Sequence, residues 1–351
     1  EVAADYPWQT VADDVPLAAT VEADEQRPDW FSLELGIEID GHRVDLLPAL
    51  LNILDSTSSL DQLARTPRRC IAVPVGDKKY LAVPPERLRI LLAVLREMYR
   101  DKDGKLGAPL TRATALAELG AALHDTGRPV RWAGDTSVRD RGYDLALGPR
   151  PTAPVIAAGL VATLRGYQED GVRWLQHLRA CATGGILADD MGLGKTLQTI
   201  AHVLLEKEAG RLDRPVLIVT LTSLVGNWQR EFAKFAPGLT VVPLHGPGRH
   251  DRLAELAKHD VAITTYPLVW RDRDVLAAHS FHTVVMDEAH AVKNPDGLAH
   301  EAIRSLTADN RLALSGTPIE NHLGELWALF DLVNPGMLGT AEQFKTGFRV
   351  P

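Results

Sequence analysis

Cysteine is scarce in this chain of 351 residues, which contains two cysteines, Cys70 and Cys181. They lie far apart, and neither belongs to a Cys-x-x-Cys or Cys/His pattern, so the sequence supports neither a disulfide framework nor a zinc site. The sequence also lacks an apolar run of about eighteen residues, and no charged segment followed by an apolar one opens it. We therefore expect a soluble, cytoplasmic protein that does not contact a membrane.

Positive charge is in deficit as well. The formal net charge is −8 at pH 7, so the chain as a whole generates no field that attracts nucleic acid non-specifically. The pairs Arg68-Arg69 and Lys78-Lys79 do not extend into a basic stripe. Any DNA binding must be local, and we expect the amino-terminal part to serve as a scaffold or docking domain rather than a dedicated DNA-binding domain.

Residues 1–150 are predicted to form a small α+β domain. Apolar residues alternate between positions 33 and 39 and reach a predicted turn at Asp40-Gly41. A second hairpin is predicted around Gly76-Asp77, and the segment "PPERLRILLAVLREMYR" that follows it has helical periodicity. A stretch rich in proline and small residues, which starts at Leu147, marks the predicted domain boundary.

Residues 151–351 alternate short β-branched runs with amphipathic helices. This pattern predicts an α/β domain, a mostly parallel sheet with helices on both faces. Ligands of such folds bind at the carboxyl ends of the strands, where we therefore expect the chemistry. The predicted strands cover residues 185–188, 216–221, 240–244, 261–266, 283–287 and 311–315, and helices are predicted at 195–208 and 224–235.

The segment "ILADDMGLGKTLQTI" places glycines between a strand and a helix. Gly192 and Gly194 would let successive N–H groups face a phosphate at the positive end of the helix. Lys195 would neutralise the phosphates and the Thr196 hydroxyl would bind magnesium. The strict phosphate-loop pattern has glycine where Asp189 stands, so an ordinary strand-to-helix turn is the alternative at this point.

The segment "FHTVVMDEAHAVKNP" ends an apolar strand in two acids. Asp287 could hold magnesium, and Glu288 could orient or deprotonate the attacking water. The alternative is that both acids cap a helix that begins near Pro295. A phosphate loop and an acid pair in one α/β domain, in this order, favour the nucleotide site.

Six segments, in order between residues 160 and 340, resemble the motor of Swi/Snf-type DNA translocases, a branch of the superfamily two helicases. They are "LRGYQEDGVRWL" (adenine recognition), "DDMGLGKT" (motif I), "LIVTLTSLVGNWQREFAKF" (motif Ia), "ITTYPLV" (motif Ib), "DEAHAVKNP" (motif II) and "LALSGTPIENHLGELWALFDLVNPG" (motif III with its trailing helix). Aspartate is usual in this family at the position of Asp189. The resemblance implies that residues 151–351 are the first RecA-like lobe, a P-loop NTPase fold. The segment "WFSLELGIEIDGHRVDLLPALL" resembles an accessory region of a bacterial subset of the family.

The resemblance implies ATP and Mg²⁺ as cofactors. It assigns catalysis to Lys195, Asp287 and Glu288, places Mg²⁺ on Thr196 and Asp287, and lets the amide of Gln168 read the adenine edge. The implied nucleotide-binding residues are Arg165, Gln168, Met191, Gly192, Leu193, Gly194, Lys195, Thr196 and Leu197.

The resemblance also implies contacts between motifs Ia and Ib and the DNA backbone. The candidates are Ser223, Asn227, Thr264 and Thr265, whose hydroxyl and amide groups would position a duplex without reading its sequence. Helix capping is the alternative role of the first two, and plain strand content is that of the last two. Leu221 stands where the family has proline, which leaves the geometry of the motif Ia loop open.

Motif III is implied to couple the nucleotide site to the DNA-facing surface through Ser315, Gly316 and Thr317. His290 is the candidate γ-phosphate sensor, through a hydrogen bond to Ser315 or Thr317. The alternatives are a simple turn with a hydroxyl cap and a structural histidine. Trp228 and Trp327 lie on apolar helix faces and are predicted to pack in the core.

The predicted function is translocation along double-stranded DNA, driven by ATP, with remodelling of the proteins bound there. The family's second lobe supplies an arginine that these 351 residues do not include, so the chain is expected to bind Mg-ATP and hydrolyse it poorly. Expected partners are duplex DNA, the second motor lobe and a protein partner of the amino-terminal domain, in the cytoplasm of a bacterium at its nucleoid. The alternatives are a strand-separating helicase and a nucleotide-gated protein-binding module.

Overall fold

The structure, a computed structural model, divides into two compact units, residues 1–147 and residues 148–351. Of the helices in the described part of the chain, none combines the length and hydropathy that crossing a lipid bilayer requires. The structure describes residues 9–11, 17–24, 30–39, 42–57, 60, 70–76, 79–96, 98–100, 106–125, 130–149, 156–320 and 322–347.

The first unit is an α+β fold, as predicted. Within the described residues, strands pair in the order β7-β8-β3-β2-β9, with β4 beside β3, and in a second sheet in the order β1-β6-β5. The strands are β1 (Gln9–Val11), β2 (Leu17–Ala23), β3 (Trp30–Ile39), β4 (His42–Asp45), β5 (Ile71–Gly76), β6 (Lys79–Val83), β7 (Tyr99–Arg100), β8 (Leu106–Pro109) and β9 (Arg131–Gly134). The helices are α1 (Leu47–Ser56), α2 (Pro85–Arg96), α3 (Thr114–Asp125) and α4 (Thr136–Leu147).

Both predicted hairpins of this unit have antiparallel strands, β3 with β4 and β5 with β6. Asp40-Gly41 and Asp77 at their turns lie outside the described residues, as do Arg68-Arg69 and Lys78. Inward-facing residues of β2 and β3, such as Val21 and Leu35, share one apolar core with the inner faces of α2 and α3.

The second unit contains a parallel sheet, which confirms the predicted α/β fold. Its six described strands lie in the order β10-β15-β14-β11-β13-β12, and every pair is parallel. The strands are β10 (Gly185–Leu187), β11 (Val216–Thr220), β12 (Val241–Pro243), β13 (Val261–Thr265), β14 (Ser280–Asp287) and β15 (Thr307–Leu314). The helices are α5 (Gly166–Ala180), α6 (Lys195–Glu208), α7 (Val225–Phe235), α8 (Arg249–Ala254), α9 (Tyr266–Arg271), α10 (Arg273–Ala277), α11 (Leu298–Ser305), α12 (Leu323–Val333) and α13 (Ala341–Gly347).

Helices cover both faces of this sheet. Successive residues of a strand point to opposite faces, and on β11 Val216 and Ile218 belong to one apolar core whereas Leu217 and Val219 belong to another. The first core includes residues of α5, α6 and α7, and the second includes residues of α9, α11 and α12. Burial on both faces explains why the strands are almost continuously apolar.

The carboxyl ends of the strands align at one edge of the sheet. Leu314 at the end of β15 pairs in register with Leu187 on one side and with Asp287 on the other. β10, which leads into the glycine loop, and β14, which ends in Asp287, therefore end at the same level of the sheet. They lie two strand spacings apart, or about 9.5 Å. Motifs I, Ia, Ib, II and III all follow strands that end at this edge.

Candidate nucleotide-binding site

The glycine loop connects β10 to α6 through two residues in left-handed conformation. Gly192 has φ +84° and Gly194 has φ +81°, values that L side chains rarely adopt. A Cβ atom at Gly194 would also lie 2.5 Å from Nε2 of Gln168. The loop thus requires glycine at position 194 for both its backbone conformation and its space.

Lys195 opens α6 and turns its side chain back across this loop. Its Nζ donates to the carbonyl oxygens of Asp189, at 2.6 Å, and Asp190, at 3.1 Å. Gly194 is the N-cap residue and makes no side-chain cap bond, so the first-turn N–H groups of a fourteen-residue helix are available to an anion. An ammonium group and a helix N-terminus are the groups that a polyphosphate requires, and Thr196 follows directly.

Asp189 connects the loop to α6. Its Oδ2 accepts a hydrogen bond of 2.8 Å from Nε2 of Gln198, whose side chain is fully buried on the helix. This bond gives the aspartate a structural role that a glycine could not fill. Gln198 was not predicted from the sequence, where the available signal was a polar row four residues apart on α6, shared with the buried residues His202 and Glu206.

The predicted adenine segment lies against the same loop. The Gln168 amide accepts from the backbone N–H of Arg165 at 2.9 Å and donates to the carbonyl oxygen of Leu193 at 3.1 Å. The hydroxyl of Tyr167 donates to that same carbonyl oxygen, at 3.2 Å. One N–H and one lone pair of the Gln168 amide remain after these bonds, so adenine recognition by Gln168 stays a prediction. The side chain of Arg165 is exposed.

Asp287 lies buried at the end of β14 in a set of hydrogen bonds. Its Oδ2 accepts from the Thr220 hydroxyl at 2.8 Å and from the Trp228 indole N–H at 2.7 Å. The hydroxyl of Tyr266 donates to the Asp287 carbonyl oxygen at 2.7 Å. Burial first, and then the charges of Asp287 and Glu288, raise the pKa of Tyr266 well above its usual value, so this hydroxyl keeps its proton.

Glu288 has a strained backbone, with φ +49° and ψ +53°. A non-glycine residue in this region costs on the order of 1 kcal/mol or more and is typical of functional sites. Neither acid caps the helix that was expected near Pro295, because α11 begins later, with Gly297 as its N-cap residue. The capping alternative is therefore wrong.

The motif III residues Ser315 and Thr317 are joined by a hydrogen bond, but His290 is not bonded to either of them among the described hydrogen bonds. Ser315 is fully buried, and its Oγ accepts from the backbone N–H of Thr317 at 3.2 Å. The Thr317 hydroxyl donates to Glu320. His290 instead places Nδ1 3.2 Å from Oε2 of Glu288, and none of the described hydrogen bonds joins it to Ser315 or Thr317, so its role as γ-phosphate sensor stays a prediction.

Motif III also lies against the glycine loop. A Cβ atom at Gly316 would lie 3.1 Å from Cγ of Met191, so these two loops approach closely. The Met191 side chain is otherwise exposed, and Leu197 packs against the apolar core beneath the loop. Of these two predicted nucleotide contacts, Met191 is accessible to a ligand and Leu197 is partly buried.

The predicted DNA contacts divide into exposed and buried residues. Ser223 is exposed in a turn before α7, and the Asn227 amide donates to Oε1 of Glu231 at 3.1 Å on the same helix. Thr264 and Thr265 are each 1% exposed, because their side chains lie inside the end of β13. Their hydroxyls cannot reach a phosphate in this conformation, and that part of the prediction requires correction.

Leu221 precedes the motif Ia turn, at the position where the sequence comparison with the family expects proline. Its backbone has φ −68° and ψ 146°. Proline fixes φ near −65°, so leucine adopts the same conformation here. The backbone at this position is therefore one that proline could also adopt.

The comparison of the chain with protein families agrees with this geometry. The family model described as the SNF2-related domain matches residues 167–351, which is more than half of the chain. The chain belongs to the SNF2-related family. The match includes motifs I to III and confirms the resemblance noted in the sequence, and the likeness of residues 1–150 to a bacterial accessory region stays a prediction.

Individual SNF2-related proteins are similar over the same region. YwqA of Bacillus subtilis, whose name describes an ATP-dependent helicase/translocase, is 44% identical over 199 residues, which are 56% of this chain and 22% of YwqA. The ISWI chromatin-remodeling complex ATPase ISW2 of Saccharomyces cerevisiae is 40% identical over 190 residues, 53% of this chain and 17% of ISW2. The chain thus spans less than a quarter of the length of either relative.

A solved structure shows the same fold. The Sulfolobus solfataricus SWI2/SNF2 ATPase core, determined in complex with double-stranded DNA, aligns with a TM-score of 0.53 and 37% sequence identity. The alignment covers 57% of this chain and 41% of that chain. The parallel sheet with its flanking helices therefore matches part of an SNF2 ATPase core.

Proposed function

We propose that this chain is the ATP-binding lobe of a DNA-dependent ATPase that moves along duplex DNA and remodels protein–DNA complexes. The observation that carries the proposal is the alignment of a glycine loop, bearing Lys195, with a buried acid at the same edge of one parallel sheet. The helicase/translocase name of YwqA and the DNA complex of the archaeal ATPase core support it.

In this proposal each group has one task. Lys195 and the uncapped N-terminus of α6 bind the phosphates, and Thr196 and Asp287 hold Mg²⁺. Glu288 takes the proton of the attacking water. Bound Mg²⁺ neutralises charge that develops on the phosphoryl oxygens.

The residues present fit a magnesium nucleotide. The described hydrogen bonds to the Asp287 carboxylate both end on Oδ2, so its Oδ1 is open to a ligand. In the described ranges, no group of three or more His, Cys, Asp or Glu side chains could hold a metal ion. A cation at Asp287 would therefore share its coordination with phosphates and water, as Mg²⁺ commonly does.

DNA would contact the surface near the amino end of α7. Ser223 is exposed there, and Asn227 is half-buried beside it. In the family a second lobe provides an arginine that stabilises the transition state, so we propose that this chain binds Mg-ATP and needs that lobe for rapid hydrolysis.

The test is a comparison of ATP hydrolysis with duplex DNA, with single strands and without DNA, measured on a protein that joins this chain to a second motor lobe. Duplex DNA should stimulate turnover most, and Glu288→Gln should reduce it about 100-fold or more while nucleotide binding persists. Glu301→Gln, at an exposed glutamate on α11, is the matched control and should be neutral.

Each of the other outcomes favours a different function. Greater stimulation by single strands would indicate a strand-separating helicase. Nucleotide binding without any effect of DNA on turnover would indicate a nucleotide-gated binding module.

A further inference from the structure

Trp228 occupies a position between the core and the acid of motif II. Its side chain is 1% exposed, its ring lies 5.8 Å from that of Phe232, and it belongs to the apolar core under α7. Packing alone explains the ring, because phenylalanine or leucine would also fill a core. It does not explain the indole N–H, which points at Oδ2 of Asp287 across 2.7 Å.

Two donors converge on one carboxylate oxygen. The hydroxyl of Thr220, the last residue of β11, donates to Oδ2 of Asp287 at 2.8 Å, beside the indole N–H from α7. Indole nitrogen can only donate, so this contact requires the acceptor to be the carboxylate. Hydrogen bonds to an ionised group are about twice as strong as neutral ones and gain further strength away from water.

The arrangement decides which oxygen is available. Oδ2 receives both described donors, and Oδ1 receives none of the described hydrogen bonds. Because the donors come from two different elements, β11 and α7, the carboxylate cannot rotate without breaking both bonds. Groups that orient a metal ligand in this way commonly change metal affinity 10- to 100-fold when they are removed.

We propose that Trp228, together with Thr220, is a positioning residue that fixes the Asp287 carboxylate for the divalent cation of the bound nucleotide. The assignment rests on the proposed function, because it requires a magnesium nucleotide at this edge of the sheet. It gives the tryptophan of α7 a role through its N–H group in addition to its role in packing.

The test is a titration of Mg²⁺ at a fixed concentration of a non-hydrolysable ATP analogue, with analogue binding as the readout. Trp228→Phe keeps an aromatic ring in the core and removes the donor. We expect it to raise the Mg²⁺ concentration for half-maximal binding about tenfold and to leave metal-free analogue binding, measured in EDTA, unchanged. Trp327→Phe is the matched control, because it removes an indole N–H that donates to the Gly339 carbonyl oxygen at 2.9 Å.

Two further variants separate positioning from packing. Thr220→Val removes the second donor while keeping the side-chain shape, and it should shift the Mg²⁺ dependence in the same direction. It also carries the test if thermal denaturation shows that Trp228→Phe does not fold. In an Asp287→Asn background, Trp228→Phe should cause no additional shift, because the indole acts through the carboxylate.

An unchanged Mg²⁺ dependence in folded Trp228→Phe, or in Thr220→Val if the first variant is unfolded, would overturn the assignment while leaving the proposed function intact. An additional shift in the Asp287→Asn background would overturn it too. If the unaltered protein bound the analogue with no dependence on Mg²⁺, the proposed function itself would fail and this assignment with it.

Discussion

At the scale of single residues, the second unit holds a buried ionic cluster at the amino edge of its sheet, away from the nucleotide site. Glu206 is fully buried and pairs with Arg211 through bonds of 2.8 and 2.7 Å. His282 lies 3.4 Å from the same carboxylate, and Arg179 lies 3.5 Å from it. These partners hold the pKa of Glu206 well below its usual value despite its burial.

His202 lies beside this cluster and sets a dependence of stability on pH. Burial lowers its pKa to about 4. The charge of Glu206 acts in the opposite direction, and the charges of His282, Arg179 and Arg211 lower the pKa further. His202 is therefore neutral in the folded protein and takes up a proton on unfolding once the pH falls below about 6.5. The free energy of unfolding should decrease as the pH falls from 6.5 to 4, by at most about 3 kcal/mol from this group.

His202→Asn tests this dependence. An asparagine oxygen can still accept the hydrogen bond that Nε2 of Gln176 directs at Nδ1 of His202, at 2.9 Å. Denaturant unfolding at several pH values should show a flatter decline between pH 6.5 and 4 in the variant. His250→Asn, at an exposed histidine, should retain the slope of the unaltered protein. Equal slopes in all three proteins would contradict the assignment.

Individual contacts were the part of the site that the sequence predicted least well. The motifs that contain Lys195 and Asp287 are enough to predict their roles in phosphate and magnesium binding. The partner Trp228 is not, because a tryptophan on an apolar helix face has the same pattern whether or not its N–H reaches an acid. Thr264 and Thr265 show the converse, since a hydroxyl at a strand end is exposed or buried according to packing that the sequence does not specify.

At the scale of elements, the sequence predicted the strands and helices near the site well. The predicted helix at 195–208 coincides with α6, and the helix predicted from 224 begins one residue later, at Val225. The start of β15 was missed, because it begins at Thr307 with exposed and polar residues that interrupt the apolar pattern. Apolar periodicity identifies the buried half of a strand and not its solvated beginning.

The glycine loop gives a prediction at this scale. Gly192→Ala and Gly194→Ala both place a side chain in left-handed conformation, which costs about 1 kcal/mol or more. At Gly192 a Cβ atom meets no described atom within 4 Å, whereas at Gly194 it meets Nε2 of Gln168 at 2.5 Å. Gly194→Ala must therefore displace the Gln168 amide and lose its bond to Leu193, which adds about 1 kcal/mol.

Denaturant unfolding of the two variants checks this difference. We expect Gly194→Ala to lower the free energy of unfolding by about 1 kcal/mol more than Gly192→Ala does. Equal decreases in the free energy of unfolding would contradict this prediction, because they would show that the hydrogen bond from Gln168 to Leu193 does not stabilise the loop.

At the scale of the whole molecule, the candidate site lies in the second of the two units. The second unit carries the match to the SNF2-related domain and all the motifs of the candidate site. The family model leaves residues 1–166 unmatched, and no catalytic spacing distinguishes residues 1–147. A net charge of −8 is consistent with DNA contacts confined to a small surface of the second unit.

The order of the motifs made the fold predictable from the sequence. Parallel strands all have their carboxyl ends at one edge of the sheet, so the residues that follow them converge on that edge. That rule predicts that the glycine loop and the acid pair lie at a common edge of the sheet. The structure places them there, because Leu314 of β15 pairs with both Leu187 of β10 and Asp287 of β14. The rule does not predict which side chains bond there, as the pairing of His290 with Glu288 shows.

In the proposed function, the loop around Lys195 binds the phosphates of Mg-ATP. Calorimetric titration with a non-hydrolysable ATP analogue and Mg²⁺ tests it most directly, on the unaltered protein, on Lys195→Ala and on Lys207→Ala. Lys207 lies at the other end of α6 and pairs with Asp260 at 2.6 Å, which makes it the matched control. We predict binding by the unaltered protein and by Lys207→Ala, and affinity at least about tenfold weaker for Lys195→Ala. Equal affinities for the two lysine variants, or no binding by the unaltered protein, would contradict the claim.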